Sequence, residues 1–346
     1  MVAKGVKILS KEFHNIKISV VIPVYNVEKY VGRCLQSVVD QTIFSQLDIV
    51  IVNDGSTDDS LAICQSFAAQ YDNIKIISQE NSGLAAARIT GLDYCQEDYI
   101  TFIDSDDFIE DDCMEILLNL ISNYNADIAQ INYYAYFEDG QKVKSTSNTS
   151  LKVFNSFEES LYDVLIPENY LRYAVWGTLY RKPILEQTYF REKDHINEDI
   201  FFKIKALNAA KTVVVDNSAH KYAYVQRGNS LMRSPFSEKK LHILEIYQDL
   251  LTMDLTTRER QLIEVKLILS KIELAEQMND KARNNQHLTK VKQQLMTDIK
   301  NFNVSEYKAI LDRRTLTKIY LGKISPALYR KAVKLYMTIK HKFNKL

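Results

Sequence analysis

The sequence predicts an α/β fold: a mostly parallel sheet with helices on both faces, followed by an α-helical C-terminal region. Three observations predict it. Short β-rich apolar runs alternate with stretches of helical length through the first 125 residues, as parallel strands and their covering helices do. The 346 residues are 46% hydrophobic and 25% charged, with only 9 Gly and 5 Pro; that is too apolar for disorder and long enough for about two domains. Beyond Pro235 apolar positions recur at helical spacing, and no glycine interrupts them until Gly322.

Taken in order, a strand over Ile16 to Val24 leads to a helix from Val27 to Gln41. A second strand, Leu47 to Val52, passes through the turn Asn53-Asp54-Gly55-Ser56 into a helix from Thr57 to Gln70. The third, Ile74 to Ser78, precedes a helix over Gly83 to Cys95. The fourth, Tyr99 to Ile103, ends in Asp104-Ser105-Asp106-Asp107, before a helix from Asp111 to Tyr124. Strand-like pieces then follow at Asp127 to Phe137, Lys142 to Phe154 and Thr212 to Tyr224, interleaved with helices near Phe157 to Ile166 and Asp199 to Ala209. A boundary falls near Ser234-Pro235. Ligands of such sheets sit at the carboxyl ends of strands, and here those ends carry Tyr25-Asn26, Asn53-Asp54, Gln79 to Ser82 and the aspartate cluster.

Several chemistries are excluded. No two of the nine glycines are spaced as GxG, and GxxxxGK[ST], GxSxG and HExxH are missing. Cys34, Cys64, Cys95 and Cys113 form no CxxC pair, which fits reduced packing residues inside helices rather than zinc ligands or disulfides. No apolar run reaches the ~18 to 20 residues of a membrane span, and the N-terminal residues lack the apolar core of a secretory signal. Forty-four basic residues against forty-four acidic ones argue against a dedicated nucleic-acid binder.

Three carboxylates in four residues, Asp104, Asp106 and Asp107, repel one another. They make sense around a hard divalent cation, because Mg²⁺ takes one or two carboxylates and completes its shell with water and substrate phosphates. The competing reading is a solvated helix cap, which serves Asp107 best.

At this point the sequence resembles family-2 glycosyltransferases of the GT-A fold, a Rossmann-like architecture, of the type that builds bacterial polysaccharide and cell-wall glycans. Ser19-Val20-Val21-Ile22-Pro23-Val24-Tyr25-Asn26, Val52-Asn53-Asp54-Gly55-Ser56-Thr57-Asp58, Asn81-Ser82-Gly83-Leu84 with Ala87-Arg88, and Phe102-Ile103-Asp104-Ser105-Asp106-Asp107 look like its successive signatures, in order and spacing. The resemblance covers residues 17 to 230. It implies that Pro23 and Tyr25 border the nucleotide base and that Asp54 accepts a hydrogen bond from uracil; a turn role is the alternative for Asp54. Arg88 is implied near the nucleotide or phosphates, or else is a surface helix arginine; Ile89 stands where the family usually has Asn. Asp104 would face the ribose or donor sugar, and Asp106 would bind the metal, Mn²⁺ or Mg²⁺, that bridges the diphosphate.

Asn197-Glu198-Asp199-Ile200-Phe201-Phe202 looks like the family's Glu-Asp motif opening a helix, which makes Asp199 the expected catalytic base. Inverting sugar transfer needs one carboxylate to take the acceptor proton and positive charge to stabilise the departing nucleoside diphosphate. Glu198 is expected beside it in the donor, acceptor or diphosphate region, with dipole complementation at the helix start as the alternative. Val175-Trp176-Gly177-Thr178-Leu179-Tyr180-Arg181 resembles a segment lining the acceptor and donor-sugar region, with Thr178 where the family often has Lys. Trp176 either stacks on a sugar or packs in the core. Tyr222-Ala223-Tyr224-Val225-Gln226-Arg227-Gly228-Asn229-Ser230 looks like the family's tyrosine-rich strand and Arg/Ser loop, giving Arg227 and Ser230 to the diphosphate. His195 and His220 are ambiguous between site and structure.

The charge is uneven along the chain. Residues 313 to 346 hold ten of the basic residues and none of the acids, so the last 34 residues carry +10 and the preceding 312 carry −10. Leu328, Ala332, Leu335 and Ile339 repeat at helical spacing beside Arg330, Lys331, Lys334 and Lys342. A basic amphipathic helix reads either as a membrane-surface element or as one packed on its neighbours.

The expected organisation is a catalytic domain over 1–234, with a nucleotide-binding half at 17–125 and an acceptor half at 126–234, then a helical region at 235–346. The expected activity is metal-dependent transfer from a nucleotide-sugar donor, UDP-linked, to a lipid-linked glycan acceptor, at the cytoplasmic face of the cell membrane. A protein or teichoic-acid acceptor, or an idle nucleotide-sugar-binding module, are the alternatives. Dimerisation, acceptor holding and membrane docking are all open for 235–346.

Overall fold

The computed structural model describes residues 16–145, 149–166, 170–185, 190–191, 196–226, 236–278, 285–331, 333 and 335. The chain divides into two compact units, Met1–Ser160 with Tyr170–Gly228, and Leu161–Asn169 with Asn229–Leu346. Ser234-Pro235, the boundary expected from sequence, lies outside the described residues.

The first unit is built on a ten-stranded sheet in the order β3-β2-β1-β4-β9-β6-β10-β5, with β7 beside β6 and β8 beside β10. Strands β1 (Ile18–Val24), β2 (Leu47–Asp54), β3 (Ile74–Gln79) and β4 (Tyr99–Phe102) run parallel, as their alternation with α1 (Val31–Val39), α2 (Ser60–Ala68) and α3 (Leu84–Asp93) predicts. All seven residues of β1 and all eight of β2 are buried, the signature of strands covered on both faces. Gly91 explains how closely α3 approaches: a Cβ there would stand 2.3 Å from Val21 Cγ1. The register pairs Val24 with Asn53 and Asp54 with Gln79, which lines up the strand ends.

The second half departs from a simple parallel sheet. Strand β6 (Ile128–Tyr136) is parallel to β10 (Val213–Val225), but β9 (Thr178–Arg181) enters antiparallel between β4 and β6. Its four residues are too few to show a periodicity in the sequence. The expected strand from Lys142 to Phe154 is two, β7 (Lys142–Lys144) and β8 (Leu151–Phe154), on different partners. A two-residue strand, β5 (Phe108–Ile109), pairs with β10 directly after the aspartate cluster, and α4 (Cys113–Tyr124) follows.

Helix α6 (Glu198–Ala209) belongs to this half, while the residues of α5 (Phe157–Leu165) are divided between the two units after Ser160. α6 is held by an aromatic cluster: Phe102 meets Tyr180, Phe190 and Phe202 edge-on, and Phe190 stacks on Phe202 with centroids 4.2 Å apart. All four cysteines are buried and free; Cys34, Cys64 and Cys113 lie within helices, and Cys95 just past the end of α3.

The second unit is helical: α7 (His242–Leu250), α8 (Thr257–Gln277), α9 (Gln286–Asn301) and α10 (Arg313–Ile324). α8 opens with a capping box between Thr256 and Glu259. Its core joins Val265, Ile272, Leu295, Ile299 and Ile319. Beyond α10, Tyr329 is buried there and donates to Glu273, while Leu328 and Leu335 are 40% and 63% exposed. The amphipathic pattern therefore resolves into two faces, with Tyr329 and Val333 inward. No helix among the described residues is long and apolar enough to cross a membrane.

Candidate active site

The ends of β1 and β2 carry two turns stitched together. Asn26 takes the left-handed conformation at φ 49°, which asparagine tolerates, and its side-chain oxygen accepts from the Thr57 amide at 2.8 Å. Tyr25 is 49% exposed here, beside buried Pro23. Gly55 follows at φ 72°, where a Cβ would stand 2.8 Å from the Asn81 backbone nitrogen. Asp54 is buried and satisfied: one oxygen accepts from Gln79 Nε2 and the Ser82 amide, the other from the Gly83 amide, all within 2.8–2.9 Å. Its carboxylate fixes the loop that opens α3.

Arg88 organises the centre. It is 1% exposed, so a surface role is ruled out. Nη2 donates to Asp104 Oδ1 at 2.8 Å, while Nη1 donates to Glu198 Oε1 at 2.9 Å and Asp199 Oδ1 at 2.6 Å. Burial alone would lower its pKa, but Asp199, Asp104 and Glu198 together hold the guanidinium firmly charged. The α6 start that brings the acids in is set by Asn197, left-handed at φ 62°. Asp199 keeps its second oxygen without a hydrogen bond among the described residues, and its side chain is 22% exposed.

Glu198 is the more deeply placed acid, at 12% side-chain exposure. Burial first, then the neighbouring Asp199 charge, push its carboxyl up to about 7 against the pull of Arg88. The folded protein then retains a proton that the unfolded chain releases near 4.5, so stability falls as pH rises from about 4.5 to 7. Glu198→Gln removes that fall. Thermal melts are expected to show the variant gaining about 1–3 kcal/mol on wild type between pH 5 and pH 8; a constant difference would reject the shift.

In the aspartate cluster, carboxylate oxygens of Asp104, Asp106 and Asp107 lie within 4.8 Å of one another. Asp107 is not the solvated helix cap expected for it. It is 1% exposed, and its oxygens accept from Tyr222 Oη at 2.9 Å and the Val225 amide at 2.8 Å. The cap expectation failed because β5 intervenes before α4. The Tyr222 hydroxyl also accepts from the Asp104 amide at 3.2 Å, so β10 latches the acidic turn from behind. With Asp107 buried and engaged in this way, Asp104 and Asp106 are the partly exposed carboxylates of the cluster. That donor set fits a hard cation which takes one or two carboxylates and leaves room for phosphate oxygens.

Trp176 is 9% exposed and stacks on Tyr222 at 4.3 Å and Tyr224 at 5.6 Å, with Tyr133 edge-on at 5.2 Å. It belongs to the core and backs the Tyr222 latch. Arg227, Ser230 and His195 lie outside the described residues. His220 is held by the Ser218 carbonyl through Nδ1 at 3.1 Å, a local structural contact.

Lys203 went unread in the sequence. It is fully buried, and Nζ donates to Thr178 Oγ1 at 3.2 Å while facing the Tyr180 ring at 5.0 Å. An amino group thus does reach position 178, from α6, one helical turn beyond Asp199. Burial holds its pKa well below that of an ordinary lysine. The available signal was helical spacing, since positions 199 and 203 share a face.

Residues 19–189 match the profile of Glycosyl transferase family 2. That segment belongs to this family. It is 40% identical over 233 residues to the glycosyltransferase GlyA of Streptococcus pneumoniae, covering 66% of this chain and 33% of GlyA. It is 31% identical over 229 residues to the cholesterol galactosyltransferase of Borreliella burgdorferi, covering 64% of this chain and 63% of that protein. The chain therefore spans about a third of GlyA and under two thirds of the galactosyltransferase. The crystal structure of Staphylococcus aureus TarS 1–349 in complex with UDP-GlcNAc superposes with a TM-score of 0.67 at 20% identity, covering 93% of this chain and 92% of that one. That likeness places the chain in the same GT-A-type fold, with its mostly parallel sheet and trailing helical region.

Proposed function

We propose that this chain transfers a sugar, with inversion, from a UDP-sugar to a glycan acceptor carried on a lipid, in the synthesis of a bacterial capsule, exopolysaccharide or cell-wall glycan. The observation that carries this is the convergence of Asp104, Glu198 and Asp199 on one buried arginine, although the two acids of α6 lie 110 and 111 positions from Arg88. Folding alone rarely gathers three partly buried carboxylates; a base held in place by a buried arginine gives them a purpose. TarS, of the same fold, is seen with UDP-GlcNAc, which supports a uridine donor.

In this reading Asp199 takes the proton of the acceptor hydroxyl through the oxygen that Arg88 leaves open. The acceptor oxygen bonds to the anomeric carbon as the carbon–phosphate-oxygen bond breaks, and the nucleoside diphosphate leaves with the bonding pair. Asp106, with Asp104 beside it, would hold Mn²⁺ or Mg²⁺, which supplies charge stabilisation for the diphosphate. Tyr25 offers a face to the base, and Asp54 holds the loop under it. Arg227 and Ser230 are assigned to the diphosphate.

The test is transfer and hydrolysis of UDP-sugars by purified protein with Mn²⁺; neither binding nor turnover of any UDP- or GDP-sugar would sink the reading. Asp106→Ala is expected to abolish the Mn²⁺-dependent gain in UDP affinity, by about tenfold or more, with metal-free affinity unchanged. Titration calorimetry with and without Mn²⁺ reads this, and an undiminished gain would remove Asp106 from the metal site. The basic, partly apolar end at 313–346 is assigned to the membrane surface on the cytoplasmic side, where it meets a lipid-linked acceptor.

A further inference from the structure

Arg33, in the first turn of α1, is an exposed cation with no assigned task. Its guanidinium carbon sits 4.5 Å from the centroid of Phe108 and 5.1 Å from that of Tyr136. Among the described residues no hydrogen bond or ion pair reaches it. Two ring faces hold the flat group in place and leave its N–H edges unspent.

This shelf adjoins the acidic turn. The Ile109 amide donates to Ser37 Oγ at 3.2 Å, and Gln41 Nε2 donates to the Glu110 carbonyl at 2.9 Å, so α1 is fastened along the segment that follows Asp107. Phe108 is the next residue after Asp107. Tyr136 ends β6 opposite Val225, whose amide binds Asp107. Among the described residues Arg33 nevertheless forms no ion pair with a carboxylate, and both oxygens of the nearby Asp107 accept from Tyr222 and Val225. The neighbouring cation, Lys142, is already spent on Glu110 at 3.0 Å.

We propose that Arg33 recognises an oxyanion on the acceptor, so that the acceptor sugar or its carrier linkage bears a phosphate or carboxylate. A preorganised guanidinium fork matches both groups through two parallel hydrogen bonds. This rests on the glycosyl-transfer reading and deepens it on the acceptor side.

Ligand-observed NMR titrations at saturating UDP and Mn²⁺, which fill the donor site, test it with three probes: N-acetylglucosamine 1-phosphate, glucuronic acid and neutral methyl N-acetylglucosaminide. At least one charged sugar is expected to bind roughly tenfold or more tightly than the neutral one; which of the two does so separates phosphate from carboxylate. Arg33→Gln should erase that preference with UDP affinity within about twofold of wild type, and Arg33→Lys should restore only part of it. Equal binding of charged and neutral sugars, or a preference that survives Arg33→Gln, overturns the proposal. A parallel loss of UDP affinity overturns it too, by assigning Arg33 to the donor diphosphate. Wild-type protein that fails to bind UDP counts against glycosyl transfer instead, and the same comparison of charged and neutral sugars still reads Arg33.

Discussion

Asp199→Asn is expected to lower kcat for sugar transfer by roughly 10²–10⁴-fold, the range of a lost general base, with UDP affinity within about twofold. The amide keeps the shape of the carboxylate and can still accept from Arg88, which now stands 2.6 Å from Asp199 Oδ1. What disappears is the ability to take a proton at the open oxygen. A second consequence follows from the neighbouring acid. Part of the upward push on Glu198 comes from the Asp199 charge, so the Asn variant should bring the Glu198 carboxyl down from about 7. Single-turnover transfer assays and carboxyl-detected NMR titration check the two halves. Undiminished transfer would remove Asp199 from the chemistry and favour a binding module. Loss of UDP affinity would move it to the donor site.

Arg88→Met is the larger structural lesion. Methionine fills much of the same space but leaves Asp104, Glu198 and Asp199 facing one another without a counter-charge, at side-chain exposures of 22%, 12% and 22%. Stripping one partner from a buried ionic cluster costs about 3–5 kcal/mol, and transfer activity should vanish with it. The deficit also has a pH signature. The orphaned carboxyls are raised by burial and mutual repulsion, so they stay protonated to higher pH in the folded variant than in its unfolded chain. The variant is therefore closest to wild type at pH 5 and falls further behind as pH rises to 8. Urea unfolding at both values decides it; a gap below about 1 kcal/mol at pH 8 would show that Arg88 does not carry the cluster.

Much of this was readable in the residues themselves. The four parallel strands and their helices announced themselves through length and alternation, and the acids that matter sat at strand ends or a helix start, where α/β sheets collect ligands. What could not be read was pairing across long separations. Nothing in the sequence distinguishes Arg88 as a surface residue from Arg88 as the meeting point of three acids, because its partners on α6 are more than a hundred positions away. Asp107 looked like a helix cap since a two-residue strand leaves no pattern. Trp176 was undecided between sugar platform and core until Tyr222 and Tyr224 were seen covering its face. Lys203 was hidden among Phe202 and Ile204, where a lysine reads as an interruption rather than as a buried donor.

The convergence on Arg88 bears on how such chains can be recombined. A nucleotide-binding half at 17–125 and an acceptor half at 126–234 look like interchangeable modules on paper. Yet β9, from the second half, hydrogen-bonds directly to β4 of the first, and the buried guanidinium of the first half takes two of its three carboxylate partners from the second. Expressed alone, the first half would keep only Asp104 beside Arg88 and would carry an open sheet edge at β4. A chimera that borrows its acceptor half from a relative must therefore import a Glu-Asp pair at the same height on its helix, or it will leave Arg88 without two of its three partners.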